Sequence, residues 1–224
     1  MTRVRGEDEA RTPPRRLVLP LVLAAAILLL WGTPVVYPFR LFVVFLHEIS
    51  HGIAAVLTGG SIVRIGLSPD EGGVCLTRGG WRFLILNAGY LGSLLWGALF
   101  LVLGARRTRA RPVIAVIGLL TLLITLAYVR TWFGFLYGLA AGLALLAAAA
   151  KLAPVVSETL LAAVGATSVL YAVWDVATDV FLAHSGQSDA SALARLTLVP
   201  AVVWGAAWIA VSALVLVQVL RRLA

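Results

Sequence analysis

Residues 41–60 read LFVVFLHEISHGIAAVLTGG, and this stretch, Leu41 to Gly60, decides how the rest of the chain is read. It is apolar almost throughout. As a helix rising 1.5 Å per residue it reaches across most of a hydrocarbon core about 30 Å thick. Yet His47, Glu48 and His51 sit at its centre, where ionisable groups are expensive and mark a functional site. The spacing is HExxH. Residues four apart share a helical face, so both imidazoles can meet one Zn²⁺. Glu48 is turned about 100° around the axis from His47. It need not be a ligand there and can take a proton from a metal-activated water. A histidine pair hydrogen-bonded inside a helical bundle is the competing reading.

The surroundings of this stretch agree with a membrane setting. The 224 residues are 61% hydrophobic and 12% charged, with a mean hydropathy of +1.00. These values place the chain among all-α polytopic membrane proteins, and its length accommodates six to seven transmembrane helices. The net charge of +8 and pI near 10.8 do not imply nucleic-acid binding, because the arginines lie at the ends of apolar runs. Anionic headgroups of the bilayer account for them. Cys75 is the single cysteine and forms no intrachain disulfide. The Arg-over-Lys, Ala/Leu/Val-rich composition suggests a bacterial cell (inner) membrane.

In chain order, residues 1–16 form a polar tail of mixed charge, expected to be disordered, and residues 17–222 form a single transmembrane domain. Leu17 to about Tyr37 is the first span, expected to be a retained anchor because no small-x-small cleavage site follows it. After the HEISH helix, Ser61 to Thr77 alternates β-prone residues around the turn cluster Asp70 to Gly73, which predicts a short β-hairpin. Spans are expected at 82–104, 112–128, 132–150, 154–183 and 200–220. In the first of these, Gly89, Ser93 and Gly97 recur at i, i+4, i+8, a spacing that admits close helix approach. Asn87 lies near that face, as a substrate-binding group or a structural hydrogen bond between helices. Strict alternation of seven spans from a cytoplasmic tail puts ten of the basic residues inside and eight outside. That split decides nothing, and the basic run ARRTRARP opposes it, which points to a miscounted span.

A second polar cluster lies late in the chain, in LYAVWDVATDVFLAHSGQSDAS. Asp175 and Asp179 share one helical face, and of the five aspartates they alone are embedded in an apolar helix. His184 and Asp189 follow in what reads as a short polar loop. A catalytic zinc site needs three protein ligands and an open position. HEISH supplies two, and Asp175 is the expected third, with Asp179 as the alternative. Ligation of a cation neutralises the carboxylate and explains its place in an apolar helix.

Together, a membrane-embedded HExxH helix, a hairpin, a small-residue helix and a later aspartate-bearing helix resemble the site-2 protease group of M50 intramembrane zinc metallopeptidases, and more narrowly its M50B-like branch. The resemblance runs from about Leu41 to Trp208. It implies zinc held by His47, His51 and Asp175, with Glu48 as catalytic base. It also implies that the hairpin holds substrate in extended form. The family's Asn-Pro and Leu-Asp-Gly context is replaced here by Trp174-Asp175-Val176, and its Ala-Gly-Pro-x-x-Asn by Ala88-Gly89-Tyr90-Leu91-Gly92-Ser93. The function expected is hydrolysis of peptide bonds in membrane-protein substrates that carry a transmembrane segment. The alternatives are a non-catalytic protein with a structural or partner-recognition zinc site, and a metal or proton transporter.

Overall fold

The computed structural model describes residues 15–105, 110–182 and 188–223. Of the expected polar tail, residues 1–14 lie outside the described residues, as does His184. Arg15 and Arg16 already belong to α1. Among the described residues, eight α-helices and one hairpin follow in the order α1 (Arg15–Leu29), α2 (Tyr37–Leu57), β1 (Ser61–Leu67), β2 (Gly73–Arg78), α3 (Arg82–Ala105), α4 (Ala110–Tyr128), α5 (Trp132–Lys151), α6 (Pro154–Ala177), α7 (Asp189–Thr197) and α8 (Ala201–Leu223). A π-helical turn, Thr178–Leu182, extends α6. Six of the described helices are long and apolar enough to cross a membrane, and the protein is an integral multi-pass membrane protein.

Two expectations change. The first apolar run is helical only to Leu29, and its 15 residues rise about 22 Å, short of a full crossing. The segment 189–197, read above as part of a loop, is a helix. Ser188 caps it, its side chain accepting a hydrogen bond from the Ser191 amide, and Ala190 and Leu193 are buried beneath it.

Local chemistry sets the ends of α2. Pro38 stands in its first turn, where a missing N–H costs nothing. Gly59 adopts φ +83° past its end, a conformation that glycine enters freely. A side chain on Gly60 would lie 2.7 Å from the backbone of Gly79 and Gly80. The two glycine pairs thus let the hairpin leave α2 and return to α3 at one point. β1 and β2 pair antiparallel from Ser61↔Arg78 to Leu67↔Gly73, with an irregularity between Ile62 and Arg64.

Lipid tails are as apolar as leucine, so these helices associate by close packing and interhelical hydrogen bonds. The small-residue face of α3 supplies both. The Ser168 hydroxyl on α6 donates to the Ser93 carbonyl at 2.7 Å, and Gly97 faces the backbone of Gly165 and Val169. By contrast α4, α5 and α8 leave rows of Leu and Val exposed, at no cost in a bilayer.

Candidate metal centre

The site is built between α2, α3, α6, α7 and the hairpin, in a cleft of about 680 Å³. His51 is fixed first. Its Nδ1 lies 2.6 Å from the Ile85 carbonyl. A carbonyl can only accept, so Nδ1 carries the proton and Nε2 is left as a lone-pair donor. One turn earlier, His47 directs Nε2 to the same place. Asp189, at the start of α7, brings its Oδ2 within 3.1 Å of His47 Nε2 and 3.0 Å of His51 Nε2.

These three ligand atoms all lie within 4.8 Å of one another, the one His/Cys/Asp/Glu grouping of this kind among the described residues. The donor set fits a metal ion. Ligands about 2.0–2.1 Å from a tetrahedral zinc stand roughly 3.3 Å apart, close to the two separations found. Gly89 makes the room, since a methyl group on it would overlap the Nε2 atoms of both histidines. Burial by itself would raise the Asp189 carboxyl, but the charges and hydrogen bonds of His51 and His47 hold it well below the usual carboxylate range.

The two expected third ligands take other places. Asp175 Oδ2 lies 3.9 Å from Nδ1 of His47, the ring nitrogen away from the three-donor cluster. That is where a carboxylate orients a metal-ligating imidazole. Asp179 accepts a hydrogen bond from the Tyr90 hydroxyl, and the Tyr90 ring packs edge-on against His47 at 5.1 Å between centroids. Both aspartates line the cleft. Neither belongs to the three-donor group: Asp175 stands by the other nitrogen of His47 and Asp179 is bonded to Tyr90, whereas Asp189 on α7 meets both Nε2 atoms. Asn87 is not in the cleft. Its amide nitrogen donates to the Phe83 carbonyl at 2.8 Å and its oxygen accepts from Trp208 Nε1 at 2.9 Å.

Asp189, which the sequence reading leaves in a polar loop, is the carboxylate that the structure brings to both histidines. The signal was present: a Ser-Asp pair opening a segment with apolar residues at 190 and 193 is a helix start. It was hidden by the polar run ahead of it.

Glu48 is buried, lines the cleft beside the cluster, and packs so closely on β2 that a side chain on Gly73 would collide with its carboxylate. Among the described residues the hairpin presents one open edge here. The outer edge of β1 is closed by the α4–α5 junction: the Arg130 amide donates to the Ile65 carbonyl at 3.0 Å, and the Leu67 amide to the Thr131 hydroxyl at 3.0 Å. β2 instead runs along the cleft from Gly73 to Thr77. Its turn is anchored to α2 by the Arg40–Glu71 ion pair, 2.9 Å, and by the Tyr37 hydroxyl donating to the Pro69 carbonyl at 2.6 Å. Burial, helped by the Glu48 and Asp189 carboxylates, pushes the Cys75 thiol up to about 12.

A search of curated proteins and a search of solved structures each returned no match to this chain. A family model described as Peptidase M50B-like matches residues 20–219, which takes in every helix that contributes to the cleft. The chain belongs to the M50B-like peptidase family.

Proposed function

We propose that this protein is an intramembrane zinc metalloprotease in which His47, His51 and Asp189 hold the metal and Glu48 is the general base. The observation that carries the reading is the convergence of three donor atoms from α2 and α7 beside a buried carboxylate and an open strand edge. A structural zinc site has no use for such a base. Asp189 replaces Asp175 as third ligand in this reading, and Asp175 becomes the carboxylate that orients His47.

Zinc, when bound, supplies Lewis acidity and brings the pKa of water toward neutrality. The remaining work falls to the chain. Glu48 takes the proton of the attacking water and returns it to the departing amine. His51 is held by the Ile85 carbonyl, and Asp175 places a carboxylate 3.9 Å from the other nitrogen of His47. β2 receives the substrate as an added strand, which satisfies backbone groups that unwinding of a transmembrane helix exposes. Substrates are accordingly membrane proteins with a transmembrane segment that unwinds locally.

The test is Glu48→Gln in protein reconstituted with a transmembrane substrate. Cleavage is expected to fall by about 10²–10⁴-fold while zinc content stays at that of the wild type. Cleavage at the wild-type rate would remove the assignment.

A further inference from the structure

We propose that Tyr90 and Trp208 form an aromatic brace that fixes the ring of His47 for the metal, so that α8, which lends no residue to the lining of the cleft, sets the affinity of the centre. The two histidines are held differently. His51 is fixed by a hydrogen bond, its Nδ1 standing 2.6 Å from the Ile85 carbonyl, which sets tautomer and ring plane together. Among the described residues no hydrogen bond reaches Nδ1 of His47. The Asp175 carboxylate stands 3.9 Å from it, beyond hydrogen-bond length. A charge at that distance attracts the imidazole but does not set its tilt. Metal-ligating histidines rely on outer partners to hold the ring in place, so another group must supply the orientation.

That group is aromatic. The Tyr90 ring lies 5.1 Å from the His47 ring, with the two planes 89° apart, the edge-to-face arrangement that ring pairs favour. Tyr90 is itself held at two places. Its hydroxyl donates to Asp179, and its ring packs against that of Trp208, 4.5 Å between centroids. Trp208 is held in turn, its indole N–H donating to Asn87 Oδ1 at 2.9 Å, and the Asn87 amide nitrogen donates to the Phe83 carbonyl at 2.8 Å. Tyr90 and Trp208 are both buried. Turning the imidazole out of its position therefore requires the phenol ring to move against a fixed neighbour.

This gives the stretch Ala88-Gly89-Tyr90 two successive tasks. Gly89 leaves room for both Nε2 atoms, and the next residue orients one of the rings that carry them. Asn87, which stands outside the cleft, serves the same end through Trp208. Tyr90 and Trp208 are thus positioning residues that act on the metal through His47.

The inference rests on the metal centre assigned above and not on proteolysis, and its test needs no substrate. The full chain is purified in detergent and freed of metal. Zinc affinity is then measured against a competing chelator, and the visible absorption of the cobalt-loaded protein reports the ligand geometry. Tyr90→Leu is expected to lower zinc affinity by about 10–100-fold, as loss of an orienting partner does, and to change the cobalt spectrum. Tyr90→Phe, which keeps the ring, should restore both. Trp208→Leu should show a smaller loss of the same sign, and the double variant should be no weaker than Tyr90→Leu, because Trp208 acts through Tyr90. Val180→Ala loosens the same buried cluster without touching the ring stack and should keep the wild-type spectrum. Where Tyr90→Leu does not fold, Trp208→Leu against Val180→Ala decides. Wild-type affinity and spectrum in Tyr90→Leu, an equal loss in Tyr90→Phe, or a Val180→Ala that matches Trp208→Leu would overturn the proposal. A wild type that takes up no metal would remove the centre itself and this inference with it.

Discussion

Replacing Asp189 by Asn separates the three carboxylates of the cleft most sharply. Asp189 Oδ2 is 3.1 and 3.0 Å from the two imidazole Nε2 atoms, so the change removes one of three ligand atoms and its charge. Asparagine keeps the shape, and Ser188 still caps α7, so the helix persists. In the proposed site Asp175, whose carboxylate is 3.9 Å from the other nitrogen of His47, would act through that ring. Loss of such an orienting partner costs about 10–100-fold in metal affinity, or roughly 1.4–2.7 kcal/mol. Asp189→Asn should exceed that range, and Asp179→Asn, whose carboxylate meets Tyr90 and not a histidine, should fall below it. The assay is zinc per chain by elemental mass spectrometry on detergent-purified protein, titrated against a chelator of known affinity. Wild type should hold about one zinc, as a three-ligand site does. Full zinc retention by Asp189→Asn, with loss in Asp175→Asn, would return the third ligand to α6 and refute the reasoning from the Nε2 atoms.

Other outcomes follow from the same geometry. Gly89→Ala should abolish zinc binding without touching any ligand, because the methyl would occupy the space of both Nε2 atoms, and should destabilise the fold by about 1–3 kcal/mol. Metal content and thermal unfolding in detergent check both parts, and normal zinc content would contradict the packing argument. Arg40→Ala removes the ion pair to Glu71 and the cation–π contact with Trp31, a partly buried set worth about 1–3 kcal/mol. The hairpin turn should then be cut faster by an added protease. With its thiol pushed up to about 12, Cys75 should alkylate slowly at neutral pH. Its rate should rise about tenfold per pH unit below that value. A rate independent of pH would show that the thiol is not held protonated.

The HEISH spacing, the apolar runs and the β-prone segment around Asp70–Gly73 are local properties, and local physics was enough to read them. A helical period of 3.6 puts His47 and His51 on one face whatever surrounds them. Runs of about twenty apolar residues leave few alternatives to membrane helices. The alternating hairpin with glycine pairs at its ends was legible for the same reason.

Tertiary structure decided what joins the histidines. Asp175, Asp179 and Asp189 are all carboxylates late in the chain, and no periodicity tells which one a folded α6–α7 corner turns toward Nε2. That choice depends on the π-helical turn at Thr178–Leu182 and on α7 docking through Ala190 and Leu193. Asn87 likewise looked available from its position on α3 until Trp208, 121 residues away, proved to hold it. The number of crossings was also a tertiary question. Hydropathy counts apolar runs, but only the structure ends the first of them at Leu29 and packs Trp31 against α6. Sequence supplies the donors; the packing of distant helices selects among them, because a ligand set is defined by distances that local propensity does not encode.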